Sequence, residues 1–139
     1  MIAEILYELK NIHIIGQRVL DTENAKVETT ITASGNFRGI PIIETTTFWI
    51  MPTKSNKNVL YGEANGALVI EYSKEFAIFR GHGLTFILEK GNVRDRGARI
   101  YHTSSGKLSY LNNLVGLFEY DMCAHLTVAL ALSFLLYKT

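Results

Sequence analysis

Apolar and polar positions alternate along this chain more clearly than they follow any helical period. In residues 25–34, Val27, Thr29, Ile31 and Ala33 fall on one side and Glu28, Thr30, Thr32 and Ser34 on the other. That is the signature of a strand with one wet face. Residues 59–72 repeat the alternation with small residues. Leu60, Gly62, Ala64, Gly66, Leu68 and Ile70 share a side, as close packing or a barrel corner requires. Tyr61, Glu63 and Asn65 share the opposite side and form a candidate polar lining. Residues 43–50 are rich in Thr, Ile, Phe and Trp and predict another strand, with Pro41 marking an edge, a bulge or a loop at its start.

The stretch from 76 to 120 holds three more extended segments, separated by turns at Glu89-Lys90-Gly91-Asn92 and at 103–107. Residues 5–20 predict a first strand bent at Gly16, 52–58 a polar loop, and 73–75 a hairpin turn. Residues 122–137 carry no formal charge, yet they fall short of the ~20 residues of a spanning helix. They also alternate, with Leu126, Val128, Leu130, Leu132 and Phe134 set against His125, Thr127, Ala129, Ala131 and Ser133. A strand separates those two sets where a helix would mix them, so a final strand is expected rather than a membrane anchor.

Short connections pair neighbouring strands antiparallel. The expected fold is all-β, an antiparallel up-and-down barrel of about eight strands forming one domain over 1–139, with a two-sheet β-sandwich as the alternative. The segments at 76–88 and 108–120 are apolar on both faces. A lone barrel keeps only one face of each strand dry, so a homo-oligomer is expected, dimer ahead of trimer. The alternative is that bulges near Gly81–Gly83 and Asn112–Asn113 swap the faces midway.

Charge narrows the partners. Fourteen Lys and Arg against thirteen Asp and Glu leave a formal charge of +1, too even to hold nucleic acid or an anionic membrane. Cys123 is the single cysteine, so no internal disulfide forms and a cytoplasmic setting is expected. The start of the chain, MIAEILYELK, lacks the basic segment of a secretory signal. Cys123 is expected to be a small buried apolar group, because His125 on the same strand makes a poor base for it. No spacing of ligand residues predicts a metal, no glycine-rich stretch precedes a helix to cradle phosphate, and no cofactor is expected.

Candidate chemistry is sparse. Arg80 and His82 share a strand face within Arg80-Gly81-His82-Gly83. They are either a surface pair beside a bulge or the lining of a cavity mouth. Glu119 lies between Phe118 and Tyr120. If it points inward it needs a partner, which Arg96 or Arg99 on the adjacent strand could supply. Asn112 suits a bulge or a ligand hydrogen bond. With Tyr101 and Glu63, these residues form the candidate site.

Residues 96–120, RGARIYHTSSGKLSYLNNLVGLFEY, resemble the closing region of a family of small, functionally uncharacterised bacterial and archaeal proteins. The family pattern runs R-G-A-x-x-Y-x-T-x-S-G-K-L-x-x-L-N-x-x-V-G-x-F-E-Y. It is matched by Arg96, Gly97, Ala98, Tyr101, Thr103, Ser105, Gly106, Lys107, Leu108, Leu111, Asn112, Val115, Gly116, Phe118, Glu119 and Tyr120. Gly81 and Gly83 resemble the same family's G-x-G segment, and the final strand departs from it by being far more apolar. Such proteins resemble the allene oxide cyclase-like, calycin-type barrels, which implies a barrel with a central cavity. No cyclase active site is matched. The resemblance thus implies a barrel that holds a small apolar or amphipathic molecule. The alternatives are a small isomerase or cyclase using an inward Glu or His, and a packed barrel serving only as an oligomeric interaction module.

Overall fold

The computed structural model describes residues 3–122 and 129–137. Eight strands follow one another: β1 (Ala3–Asp21), β2 (Lys26–Phe37), β3 (Ile40–Pro52), β4 (Val59–Ile70), β5 (Phe76–Ile87), β6 (Val93–Thr103), β7 (Val115–Met122) and β8 (Ala129–Tyr137). Each pairs antiparallel with the next, and β8 returns to β1, closing the ring. The all-β, up-and-down architecture is therefore the one the alternation predicts.

The hairpins follow from local chemistry. Arg38 and Gly39 both adopt positive φ, and the Asn36 side chain accepts the Gly39 N–H. Two consecutive left-handed residues twist the chain as a tight two-residue hairpin demands. Asp21 accepts from the Glu23 and Asn24 N–H groups and so ends β1. The register of β1 against β2 shifts between Lys10 and His13, between Ile14 and Gly16, and between Val19 and Asp21. Such bulges let a 19-residue strand coil around the ring.

Two local expectations change. The register of β5 with both neighbours is unbroken through Gly81–Gly83, so no bulge swaps the faces there. The strand expected to begin at 108 begins only at Val115; a 3-10 helix, Ser109–Asn113, comes before it. Leu108, Leu111 and Leu114 recur every third residue and are all buried, as a three-residue turn places them. Asn112 then pins this helix to the end of β6. Its side chain accepts the Thr103 N–H and donates to the Thr103 carbonyl, replacing a strand partner. Residues 123–128, with Cys123 and His125, lie outside the described residues, as does part of the expected final strand.

The inward set comprises Tyr7, Leu9, Ile31, Ala33, Phe37, Ile42, Leu68, Ile70, Ala77, Phe79 and Tyr101, with the three leucines above closing one end. The outward set is mixed. It carries the ion pairs Arg18–Glu28, Arg94–Asp121 and Arg96–Glu119, but also the exposed Phe76, Ile78, Leu84 and Ile100.

Candidate functional site

Inner positions of β4 and β5 leave space. Gly62, Ala64, Gly81 and Gly83 adjoin in the register and offer nothing larger than a methyl. Rings from neighbouring strands occupy part of the gap. A methyl at Gly66 would collide with the Phe79 ring, and one at Gly97 with Phe118 and the His82 carbonyl. The inward glycines thus make room for aromatic side chains and for a polar centre.

That centre is an ion pair. Arg99 Nη1 bonds Glu44 Oε1 at 2.5 Å and Nη2 bonds Oε2 at 3.2 Å. Both side chains are almost fully buried, at 5% and 1% exposure. Burial of two charges is tolerated because the fork is bidentate and further groups complete it. Thr46 donates to Glu44 Oε2 at 2.9 Å, and the Tyr7 hydroxyl donates to Oε1 at 3.4 Å. Tyr7 and Tyr101 share a hydrogen bond of 2.7 Å. The guanidinium lies 4.1 Å from the Phe79 ring centroid and 5.1 Å from that of Phe118. Burial is the main cause holding both tyrosine hydroxyls above their ordinary pKa, so both remain protonated donors at neutral pH.

Beyond this pair, a half-open pocket of about 70 Å³ is lined by the inward Ile31, Thr46, Phe48, Ala64, Thr85, Asp95, Arg99, Phe118 and Tyr120, and also by Trp49, Glu63, His82 and Leu84. Asp95 projects from β6 between Thr85 of β5 and Tyr120 of β7 in the register. Thr85 hydrogen-bonds its carboxyl, but Oδ1 is buried with no hydrogen-bond partner among the described residues. Burial pushes Asp95 up to about 6, aided by the charge of Asp121. Tyr120 is pushed up to about 12, first by burial and then by Asp95. The cavity therefore presents a carboxylate easily protonated near neutrality, a neutral phenol and an arginine already matched by Glu44.

Of the residues singled out from sequence, only Tyr101 points into the barrel and is buried. Arg80, His82, Glu63 and Glu119 have exposed side chains on the outer face, because their parity is opposite to that of Phe79 and Tyr101. His82 and Glu119 both border an open outer groove with Tyr61, Leu84, Arg96 and Leu117. Glu119 pairs with Arg96 at 3.2 Å, while Arg99, the other partner considered for it, faces inward to Glu44. Asn112 is exposed and spends its side chain on Thr103.

Glu44, Asp95, Thr46, Thr85 and Tyr7 were not singled out. The available signal was parity: Glu44 alternates in step with Ile42 and Thr46, and Asp95 and Arg99 with Tyr101. Among the described residues, no group of three or more His, Cys, Asp or Glu could hold a metal ion. Nor is any helix among them long and apolar enough to cross a membrane.

No family model matches this chain, and no curated protein matches it either. Solved structures do. A conserved protein of unknown function from Rhodopseudomonas palustris superposes with a TM-score of 0.73 at 9% identity, over 96% of this chain and 95% of that one. A protein with unknown function from Clostridium acetobutylicum gives a TM-score of 0.71 at 10% identity, over 99% of this chain and all of that one. At such identities the likeness establishes the fold alone: a curled, antiparallel β architecture shared along almost the whole chain.

Proposed function

We propose that this protein binds a small molecule inside its barrel, in the cavity bounded by Phe48, Ala64, Thr85, Asp95, Phe118 and Tyr120. One observation carries the reading: the cavity retains a buried carboxylate oxygen, Asp95 Oδ1, without a partner among the described residues. A group like that costs stability unless something supplies a hydrogen bond. An interior selected only for packing would fill the space with apolar side chains. The resemblance of residues 96–120 to an uncharacterised family that itself resembles calycin-type barrels supports the same reading. The volume suits a compact ligand, since drug-sized molecules need several hundred Å³.

Xenon-pressurised NMR tests it. Xenon should perturb amides along residues 46–48, 83–85 and 118–120 in the natural protein, and Ala64→Leu, which fills the cavity, should abolish the effect. A folded natural protein showing no such perturbation would remove the proposal.

A second reading, a small isomerase with an inward acid/base carboxylate, is favoured by the elevation of Asp95 to about 6, close to where a general base works at neutral pH. Self-association through the outer face is part of the proposal, supported by the exposure of Ile78 and Ile100 at 49% and 66%. An aqueous setting, rather than a membrane barrel, is supported by the outward Arg94–Asp121 and Arg96–Glu119 pairs, which stand where a membrane barrel presents apolar residues.

A further inference from the structure

The charge balance of the interior narrows the ligand class. Arg99 and Glu44 cancel one another through two hydrogen bonds. Asp95 has no such counterpart. Thr85 from β5 offers it only a neutral hydrogen bond, Tyr120 from β7 is uncharged, Asp121 on the outer side of β7 is paired with Arg94 at 2.8 Å, and Glu63 and His82, which also line the pocket, are exposed on the outer face. Arg99, four residues along the same face of β6, is the nearest inward cation and is already matched. Ionised Asp95 therefore leaves one uncompensated negative charge against aromatic walls.

We propose that the cavity takes a small organic monocation, an alkylamine whose ammonium group hydrogen-bonds Asp95 while its carbon chain lies against Phe48 and Phe118. This rests on the small-molecule reading above and adds the chemical class. An ammonium group restores both the missing hydrogen bond and the missing charge, and the aromatic faces favour a cation. A neutral alcohol restores only the hydrogen bond. A carboxylate ligand would meet Asp95 as a like charge. At about 70 Å³ the space is about half of the ~150 Å³ cavity that accommodates benzene, which sets propylamine near the upper size.

A size-matched set separates the possibilities: propylamine, propan-1-ol and propionate, titrated into the full chain by NMR at pH 7.5 and pH 5. The expected result is cavity-localised shifts with propylamine at least about tenfold tighter than propan-1-ol, the gain of one well-placed charge. Lowering the pH to 5 should weaken propylamine by about tenfold through proton competition at Asp95, and leave propan-1-ol unchanged. Asp95→Asn should bring propylamine down to the level of propan-1-ol. Equal binding of propylamine and propan-1-ol, or a preference for propionate, would overturn the amine assignment while leaving a small-molecule site. Absence of cavity shifts with all three, together with absence of the xenon response, would overturn both.

Discussion

Asp95→Asn isolates the cost of the cavity carboxylate in the free protein. Its pKa rises from the ordinary 3.8 to about 6 on folding, so the folded state holds the proton more tightly than the unfolded chain. Between those two values the native state binds more protons. Stability therefore falls as pH rises from about 4 to about 6, and levels off above. A shift of about two units corresponds to about 3 kcal/mol. Asn keeps the shape and the Thr85 contact but cannot ionise. Its own amide leaves some polarity unsatisfied, so a net gain of about 2 kcal/mol at pH 7 is expected, vanishing near pH 4. Urea unfolding followed by circular dichroism at both pH values measures this. For a chain of this size the pH 7 midpoint should move up by about 1 M. Asp21 and Glu75, both half-buried, have lowered pKa values, chiefly through side-chain hydrogen bonds from Asn24 and Ser105 respectively. They tilt the pH profile of both proteins alike and cancel in the difference. A variant less stable than the natural protein at pH 7, or a midpoint difference identical at pH 4 and pH 7, would refute the reasoning.

Glu44→Gln should cost about 3 kcal/mol or more by leaving Arg99 buried without its counter-charge, whereas Glu44→Leu with Arg99→Met should recover most of that loss in the same unfolding assay. Gly97→Ala should destabilise by about 1–3 kcal/mol, read as a lowered thermal midpoint, because its methyl would overlap the His82 carbonyl and the Phe118 ring. Asn112→Ala should cost about 1–2 kcal/mol by leaving both backbone groups of Thr103 without their partners. Sedimentation equilibrium should show a mass above 15.6 kDa, which Ile78→Lys with Ile100→Lys should return to the monomer value; a natural protein already at that value would refute the self-association proposal.

The alternation in β2 and β4 was sufficient to predict strands, and even the shared side of Gly62, Ala64 and Gly66. It could not say which side of β5 lies inside, because Phe76 and Ile78 look as apolar as Ala77 and Phe79 until the ring closes. That choice put Arg80 and His82 outside. In sequence, Leu108, Leu111 and Leu114 fit a strand as well as a helix, because Tyr110 and Leu117 also fit a period of two; the period of three belongs to the 3-10 helix. Glu44 was hidden among threonines, a context that reads as a wet face. Only its partner 55 residues away, Arg99, makes an inward carboxylate tolerable, and no local pattern reports a contact that distant.

Ring closure has a consequence for how the chain reaches this state. Every pairing from β1 through to β8 joins neighbours in sequence. The closing seam instead joins residues 3–9 to 132–137, the most distant stretches described. The entropy of bringing them together is spent before the seam returns any contact, so this step should dominate the folding time. During synthesis, a curled sheet with two open edges must wait for β8 to emerge. Those edges can pair with another chain for as long as the wait lasts. The demand for chaperone protection is therefore concentrated in the interval between completion of β7 and docking of β8.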